Sequence, residues 1–250
     1  MKTPKEHFVF YRGNCNIVQI GCGGTGSLLV PYIARLMAGP DFESIMSYTL
    51  VDGDKVTEKN IKRQNFVSAD IGKFKAEVLA KRYSLALGVE IASMPIYITD
   101  GKCLEKVAQN ELSILISCVD NNKTRKIIAE RQNSNTYSSP IWVDSGNELL
   151  GGQVFIQGNT RNGIKADLLK AHPEIAKAQD KLPTELACAE RLNSGEQSLG
   201  VNATAANVIF NIVCTLLRNE KLHYYEIDFT AHNSFKKKFL DDWRAKNEQE

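Results

Sequence analysis

The feature that most constrains the fold is a glycine-rich turn that lies between a short apolar strand and a helical pattern. Residues 16–20 form an apolar run with β-branched side chains, which predicts a strand. The turn that follows contains Gly21, Gly23, Gly24 and Gly26. Apolar residues then recur at helical spacing through Leu28, Leu29, Ile33 and Leu36. This order predicts a phosphate-binding βα unit, because glycines permit close backbone approach and a helix N-terminus offers free N–H groups to an anion.

Asp52 extends this pattern towards a nucleotide site. It follows a second predicted strand at residues 48–51, about as far downstream as the carboxylate that binds the ribose hydroxyls in dinucleotide folds. A glycine turn alone is weak evidence because such turns are common, but here a strand and a helix flank it. Up to this point the sequence indicates a nicotinamide or flavin enzyme.

The polar residues after Asp52 favour a different ligand. They are Asp54, Asn60, Arg63, Gln64 and Lys75. A dinucleotide site needs one acid for the ribose and little positive charge beyond it. Arg63 and Lys75 instead predict cations at the phosphate end, where they would neutralise a triphosphate while an oxygen attacks phosphorus. Asn60 would add an uncharged hydrogen-bonding group.

Four spaced motifs together resemble one protein family. They are Gly21-x-Gly23-Gly24-x-Gly26, Asp52-x-Asp54-x-Val56, Asn60-x-x-Arg63-Gln64 and Gly72-Lys73-x-Lys75. Their order resembles the ubiquitin-activating-enzyme superfamily and, within it, the small bacterial ThiF/MoeB-like adenylyltransferases. The resemblance extends from about residue 16 to about residue 217.

The resemblance implies an ATP-dependent reaction on a carboxylate. The glycine turn would cradle the phosphates, Asp52 would hold the ribose, and Arg63 and Lys75 would polarise the triphosphate. The implied nucleotide site also contains Asp54, Asn60, Gln64 and Asp120. The implied substrate is the C-terminal carboxylate of a ubiquitin-like β-grasp carrier protein, which becomes an acyl-adenylate as pyrophosphate leaves. Because relatives of this size usually form homodimers, a homodimer is implied as well.

Two aspartates follow later predicted strands. Asp120 comes after a nearly continuous apolar run at residues 112–119, which predicts a central parallel strand. Functional residues gather at the carboxyl ends of such strands, and the resemblance implies that Asp120 holds Mg²⁺ beside the triphosphate. The alternative is that Asp120 caps the next helix. For Asp144, which begins an Asp-Ser-Gly sequence, we favour a turn over a contact with substrate.

Cys188 is the candidate nucleophile. It precedes a predicted helix, where many members of the resembled family carry a cysteine that accepts the acyl group. A thiolate reacts well only where its surroundings lower its pKa, and an ordinary structural thiol is the open alternative. The six cysteines form no Cys-x-x-Cys pair, so no zinc is expected. Two roles stay open for Arg12: an arginine that reaches the ATP of a partner subunit, and a side chain on the surface.

The remaining patterns predict the architecture. Alternating strands and helices predict one Rossmann-like α/β domain over residues 1–250, with a mostly parallel sheet flanked by helices. Residues 159–187 predict a mobile crossover segment with brief helices, residues 223–229 an edge strand, and residues 234–250 a charged terminal helix or tail. The apolar pattern at 201–217 predicts a buried helix or subunit interface rather than a membrane span, because asparagines recur in it.

Composition and charge exclude some classes of function. The formal net charge of +2 gives no reason to expect nucleic acid or a membrane surface as a partner. No signal-peptide core follows the first residues, and we therefore expect a cytoplasmic protein.

Two other functions stay open. An NAD-dependent oxidoreductase would use the same glycine turn and Asp52, but Arg63 and Lys75 would then have no task. A non-catalytic ThiF-like subunit would keep the fold and bind a β-grasp protein, and the presence of Arg63, Lys75 and Asp120 argues against it. Pyrophosphate exchange distinguishes these functions from adenylation.

Overall fold

One eight-stranded sheet forms the centre of the computed structural model of the chain. The structure describes residues 4–10, 13–40, 44–107, 112–134, 140–160, 163, 165–185, 198–232 and 234–247. The strands are β1 (Cys15–Ile20), β2 (Ile45–Val51), β3 (Ile91–Met94), β4 (Leu112–Ser117), β5 (Ile141–Asn147), β6 (Gly151–Gln157), β7 (Tyr224–Thr230) and β8 (Phe235–Phe239). Their order across the sheet is β3-β2-β1-β4-β5-β6-β7-β8.

The sheet changes from parallel to antiparallel at β5. From β3 to β5 all neighbouring strands are parallel, whereas β5, β6, β7 and β8 pair in antiparallel fashion. Parallel neighbours need long connections, and helices supply them here. The link from β5 to β6 is instead a tight turn, in which Glu148 N–H donates to the Gly151 carbonyl oxygen at 2.8 Å. The predicted Rossmann-like α/β fold with a mostly parallel sheet is confirmed, and the parallel pairs lie in its N-terminal part.

The helices pack in two groups beside the sheet. They are α1 (Gly24–Ala38), α2 (Glu58–Ile61), α3 (Lys75–Leu87), α4 (Gly101–Val107), α5 (Asn122–Ser134), α6 (Leu168–Ala171), α7 (Pro173–Ala176), α8 (Leu199–Leu217) and α9 (Leu240–Asn247). α1 contacts α3 and α8, while α5 contacts α4, α6 and α7. The brief helices predicted in the crossover segment are present as α6 and α7, and the mobility of this segment stays a prediction.

α8 is a core helix with an unusually apolar composition. By length and composition it is apolar enough to cross a membrane, so our expectation that its asparagines exclude this is wrong on those two criteria. Core helices often pass the same test, and α8 packs against α1, β5 and β6. Val201, Ile209 and Ile212 on this helix are fully enclosed. The prediction of a buried helix is therefore confirmed.

The edge strand at the C-terminal side of the sheet is β8, not the strand predicted at residues 223–229. That strand is β7, and it pairs with both β6 and β8. The lysine run in residues 234–250 suggested a charged helix or tail, yet part of it forms β8. The physical reason is a buried partner, because Lys238 Nζ lies 2.8 Å from a carboxylate oxygen of Glu226 on β7.

The first described residues pack against the last helix. Asp241 of α9 accepts hydrogen bonds from the backbone N–H groups of Lys5 at 3.0 Å and Glu6 at 2.8 Å. Arg244 of the same helix forms an ion pair of 2.9 Å with the carboxylate of Glu6, which is buried. The N-terminal segment is thus held in place by α9.

Candidate functional site

The glycine turn between β1 and α1 has no room for side chains at two positions. Gly21 has a φ of +94°, and a Cβ there would lie 2.6 Å from the carbonyl oxygen of Cys118. A Cβ at Gly26 would lie 2.0 Å from the carbonyl oxygen of Gly21. α1 begins after Gly23 without a side-chain cap, so the N–H groups of its first turn are offered to an anion. This geometry matches the phosphate-binding unit predicted from the sequence.

Asp52 connects the end of β2 to the glycine turn. Its Oδ2 accepts the N–H of Cys22 at 2.6 Å, and its Oδ1 accepts the N–H of Asp54 at 2.8 Å. Burial raises the pKa of Asp52, while the nearby ammonium of Lys75 acts to lower it. A carboxylate has about four acceptor positions, so these two bonds leave capacity for ribose hydroxyls.

Lys75 lies at the centre of a group of carboxylates. It begins α3 and is buried, and its Nζ lies 2.9 Å from Oδ2 of Asp54. Burial acts to lower the pKa of Lys75, but the carboxylates of Asp52, Asp54 and Asp120 raise it above its ordinary value. The ammonium therefore stays charged at neutral pH. Four of the predicted site residues are thus brought within electrostatic reach of one another.

Tyr97 belongs to this group and was missed by the sequence analysis. Its hydroxyl donates to Oδ1 of Asp54 at 2.7 Å. Its ring lies against Gly53, where a Cβ would come within 2.6 Å of Cδ2 of the ring. The only signal in the sequence was its position shortly after the carboxyl end of a strand, β3.

The segment after α2 brings Gln64 and Asn65 alongside the first turns of α1. Asn65 N–H donates to the hydroxyl of Ser27 on α1 at 3.0 Å, which fixes this segment. Arg63 is half-buried within it. Gln64 is buried, and its Nε2 is the nearest atom to a Cβ built on Gly23, at 3.9 Å. Its Oε1 is enclosed and has no partner among the described residues. This oxygen can therefore accept a hydrogen bond from a ligand or a water molecule.

Asn60 has a structural role that the sequence analysis did not predict. Its side-chain oxygen accepts the N–H of Thr57 at 2.8 Å and the Thr57 hydroxyl at 3.0 Å, which closes a capping box at α2. The side chain is buried. Contact between Asn60 and a triphosphate stays a prediction.

Asp120 is exposed in the turn between β4 and α5. Its carboxylate makes no hydrogen bond with the described residues. The cap of α5 is Asn121, whose Oδ1 accepts the N–H of Thr124 at 2.8 Å. The alternative that Asp120 caps this helix is therefore wrong, and its carboxylate is available to a ligand.

The donor set suits magnesium that arrives with a triphosphate. The part of the chain that the structure describes contains no group of three His, Cys, Asp or Glu side chains that could hold a metal by themselves. Mg²⁺ is commonly bound through one or two carboxylates together with substrate phosphates and waters. Asp120 offers one exposed carboxylate at the edge where the glycine turn faces an anion. Magnesium itself stays a prediction.

Asp144 is buried within β5 and does not form the predicted turn. Its Oδ2 lies 3.2 Å from Nε of Arg125 in an ion pair that lacks hydrogen-bond alignment, and its Oδ1 accepts the Ser117 hydroxyl. Burial raises the pKa of Asp144, against the lowering effect of Arg125. Arg125 also donates to the carbonyl oxygen of Val119 at 2.5 Å. This long-range pair overrides the local turn preference and braces the residue before Asp120.

Two of the predicted functional residues, Cys188 and Arg12, lie outside the described residues. The nucleophile role of Cys188 therefore stays a prediction. Cys22 in the glycine turn is buried, and burial raises the pKa of its thiol well above the ordinary value. Cys22 is thus a protonated, enclosed thiol, as expected for a packing residue.

Comparison with known proteins places the sequence pattern in a family. A sequence model described as the ThiF family matches residues 13–240. No curated protein matches the chain.

Solved structures share the fold at low sequence identity. PaaA matches with a TM-score of 0.63 at 18% identity, over 90% of this chain and 64% of PaaA. MccB of E. coli with ATP matches with a TM-score of 0.63 at 17% identity, over 92% of this chain and 64% of MccB. The microcin C7 biosynthetic enzyme MccB in complex with N-formylated MccA gives a TM-score of 0.64 at 18% identity, over 91% and 65%. The chain thus spans a little under two thirds of the length of these proteins.

Proposed function

The chain belongs to the ThiF family, and from that premise we propose that it uses ATP to adenylate the carboxylate of a peptide or protein. The observation that carries the proposal is the buried, charged Lys75 among carboxylates beside a glycine turn. The MccB structures with ATP and with MccA support it by analogy of fold. A nicotinamide cofactor needs one acid for its ribose and no buried cation beyond it.

In this proposal each part of the reaction is assigned to particular residues. The N–H groups at the start of α1 bind phosphate oxygens, and Asp52 orients the ribose. A substrate carboxylate oxygen attacks the α-phosphorus as the bond to the β-phosphate breaks and pyrophosphate leaves. Lys75 and Arg63 neutralise the charge that develops on the phosphates. Asp120 would hold Mg²⁺, which neutralises phosphate charge when bound.

No side chain has to act as a strong base in this reaction. A carboxylate is already ionised at neutral pH, so no proton needs to be removed before the attack. Catalysis then consists of positioning and of charge neutralisation by preorganised groups. The hydrogen bonds that hold Asp52 and Asp54 supply this preorganisation.

We further propose a specific substrate, on the support of the four motifs that resemble ubiquitin-activating enzymes. The carboxylate is the C-terminal one of a ubiquitin-like β-grasp carrier protein. The thiolate of Cys188 then attacks the acyl-adenylate and forms a thioester as AMP leaves, and the protein works as a homodimer.

ATP–pyrophosphate exchange with candidate β-grasp proteins tests the proposal. We expect exchange in the wild type and its loss, by about 100-fold or more, in Asp120→Asn. Cys188→Ala should keep exchange, because adenylation precedes transfer to the thiol. A wild type without exchange that binds NAD would establish the oxidoreductase, and one that binds the carrier without exchange would establish a non-catalytic subunit.

A further inference from the structure

The crossover segment lies along α5 and reaches the turn that carries Asp120. Its contacts with α5, from the C-terminal end of the helix to its start, are Asn133 to Asp167 at 3.0 Å, Lys126 to the carbonyl oxygen of Ala176 at 3.1 Å, and the N–H of Asn122 to Asp180 at 2.5 Å. The segment therefore runs antiparallel to α5. Its Asp180 contacts Asn122, two residues from the predicted magnesium ligand.

Asp180 occupies the N-terminus of α5. Its Oδ2 accepts the N–H of Asn122 at 2.5 Å and, with a longer distance of 3.4 Å, the N–H of Lys123. Its Oδ1 is enclosed and has no hydrogen-bond partner among the described residues. Enclosing a carboxylate oxygen without a partner costs free energy. The favourable contact with the positive end of the helix is what offsets that cost.

The turn that carries Asp120 is held from three directions. Arg125 donates to the carbonyl oxygen of Val119 at 2.5 Å, on one side of Asp120. Within the turn, Oδ1 of Asn121 accepts the N–H of Thr124 at 2.8 Å and caps α5. The third contact is the hydrogen bond from the N–H of Asn122 to Asp180, which belongs to the crossover segment. Because the Asp120 carboxylate has no hydrogen bond of its own to the described residues, the backbone of this turn sets its direction.

We propose that Asp180 is a positioning residue for Asp120. It holds the start of α5 in the conformation that presents the Asp120 carboxylate to the nucleotide, and so couples the crossover segment to the ATP site. The inference rests on the proposed function, since it requires ATP at this edge of the sheet. Coupling of this kind is reciprocal, so ATP bound with Mg²⁺ holds the crossover segment against α5.

The test measures ATP affinity by calorimetry, once with Mg²⁺ and once with EDTA. In Asp180→Ala we expect ATP affinity to fall about fivefold to 20-fold with Mg²⁺ and to change little with EDTA. Asp180→Asn keeps an oxygen acceptor for the helix N–H groups and should retain most of the affinity. Glu185→Gln is the matched control, because Glu185 contacts the Lys123 side chain at 2.7 Å and not the backbone of the turn.

A double-mutant cycle separates positioning from general damage. If Asp180 acts through Asp120, then Asp180→Ala in the Asp120→Asn background should cause no further loss of Mg²⁺-dependent affinity. Amide hydrogen exchange in the protein without nucleotide should rise at Asn122 and Lys123 in Asp180→Ala, while the thermal midpoint falls by only a few degrees.

Three outcomes would overturn the inference, and they differ from failure of the proposed function. Wild-type ATP affinity in Asp180→Ala with Mg²⁺ is the first. Equal losses with Mg²⁺ and with EDTA are the second, and losses that multiply in the double mutant are the third. In all three cases the wild-type protein still binds ATP, so the proposed function stands. A wild type that binds no ATP overturns the proposed function and this inference with it.

Discussion

The two halves of the sheet use buried charge in opposite ways. In the parallel half, the buried Lys75 faces a set of carboxylates that ends in the exposed Asp120. In the antiparallel half, the buried Glu226 of β7 is bound by His172 at 3.0 Å and by Lys238 at 2.8 Å. His172 lies between α6 and α7, so this second group fastens the crossover segment to the sheet. A buried charge with an exposed partner can bind a ligand, whereas a buried charge neutralised by neighbouring side chains stabilises the fold.

The largest effect should come from Lys75→Met in the parallel half. Loss of the ammonium removes the positive charge opposite the phosphates, and ATP–pyrophosphate exchange should fall about 100-fold to 1000-fold. Lys81→Met is the matched control, because Lys81 is exposed on the same helix, α3, and should leave exchange unchanged. Near-wild-type exchange in Lys75→Met would show that the buried ammonium of the parallel half does not take part in the chemistry.

A smaller effect, on stability alone, should come from His172→Gln in the antiparallel half. The hydrogen bond to Glu226 raises the pKa of His172, with Glu174 adding to it, against the lowering effect of burial. Below the ordinary pKa of about 6.5, the protonated imidazole contributes its full stabilisation to the fold. This contribution is lost as the pH rises through the raised pKa of His172. The free energy of unfolding should therefore fall by about 2 kcal/mol at pH 5.5 and by less at pH 8.5.

Urea unfolding at the two pH values checks this prediction. His232→Gln serves as the control, because His232 is exposed and should give no pH-dependent difference. ATP affinity of His172→Gln should equal that of the wild type. A larger loss of stability at pH 8.5 than at pH 5.5 would contradict the role of the protonated imidazole.

The smallest effect should come from Tyr97→Phe. The variant removes the hydroxyl that donates to Asp54, but Lys75 still holds the other oxygen of that carboxylate. ATP affinity should fall about fivefold, which corresponds to the net loss of about one hydrogen bond. Tyr32→Phe, at an exposed position on α1, is the control. A loss of ATP affinity as large as the loss of exchange expected for Lys75→Met would show that Tyr97 contacts the nucleotide directly.

Residues with local requirements could be predicted from the sequence, and residues with distant partners could not. Gly21 and Gly26 follow from the need of a strand–turn–helix unit for close backbone approach, and Asp120 follows from its place after an apolar strand. Tyr97 and Asp180 act on partners 43 and 58 residues away. No periodicity or spacing in the chain marks such pairs.

Two wrong expectations have the same physical origin. Asp144 begins an Asp-Ser-Gly sequence that favours a turn, but its ion pair with Arg125 places it in a strand. The lysines of β8 are typical of a solvated tail, but Glu226 across the strand pair gives one of them a buried partner. In both cases a tertiary contact outweighs a local preference of about 1 kcal/mol or less.

The contact between the N-terminal segment and α9 has a consequence for the order of folding. Lys5 and Glu6 are made before their partner Asp241, which lies 236 and 235 residues further along the chain. The parallel strands can pair long before that, because their connections are much shorter. We therefore expect Lys5 and Glu6 to dock on α9 only after the parallel strands have paired, so that the buried Glu6 acquires its arginine at a late stage of folding.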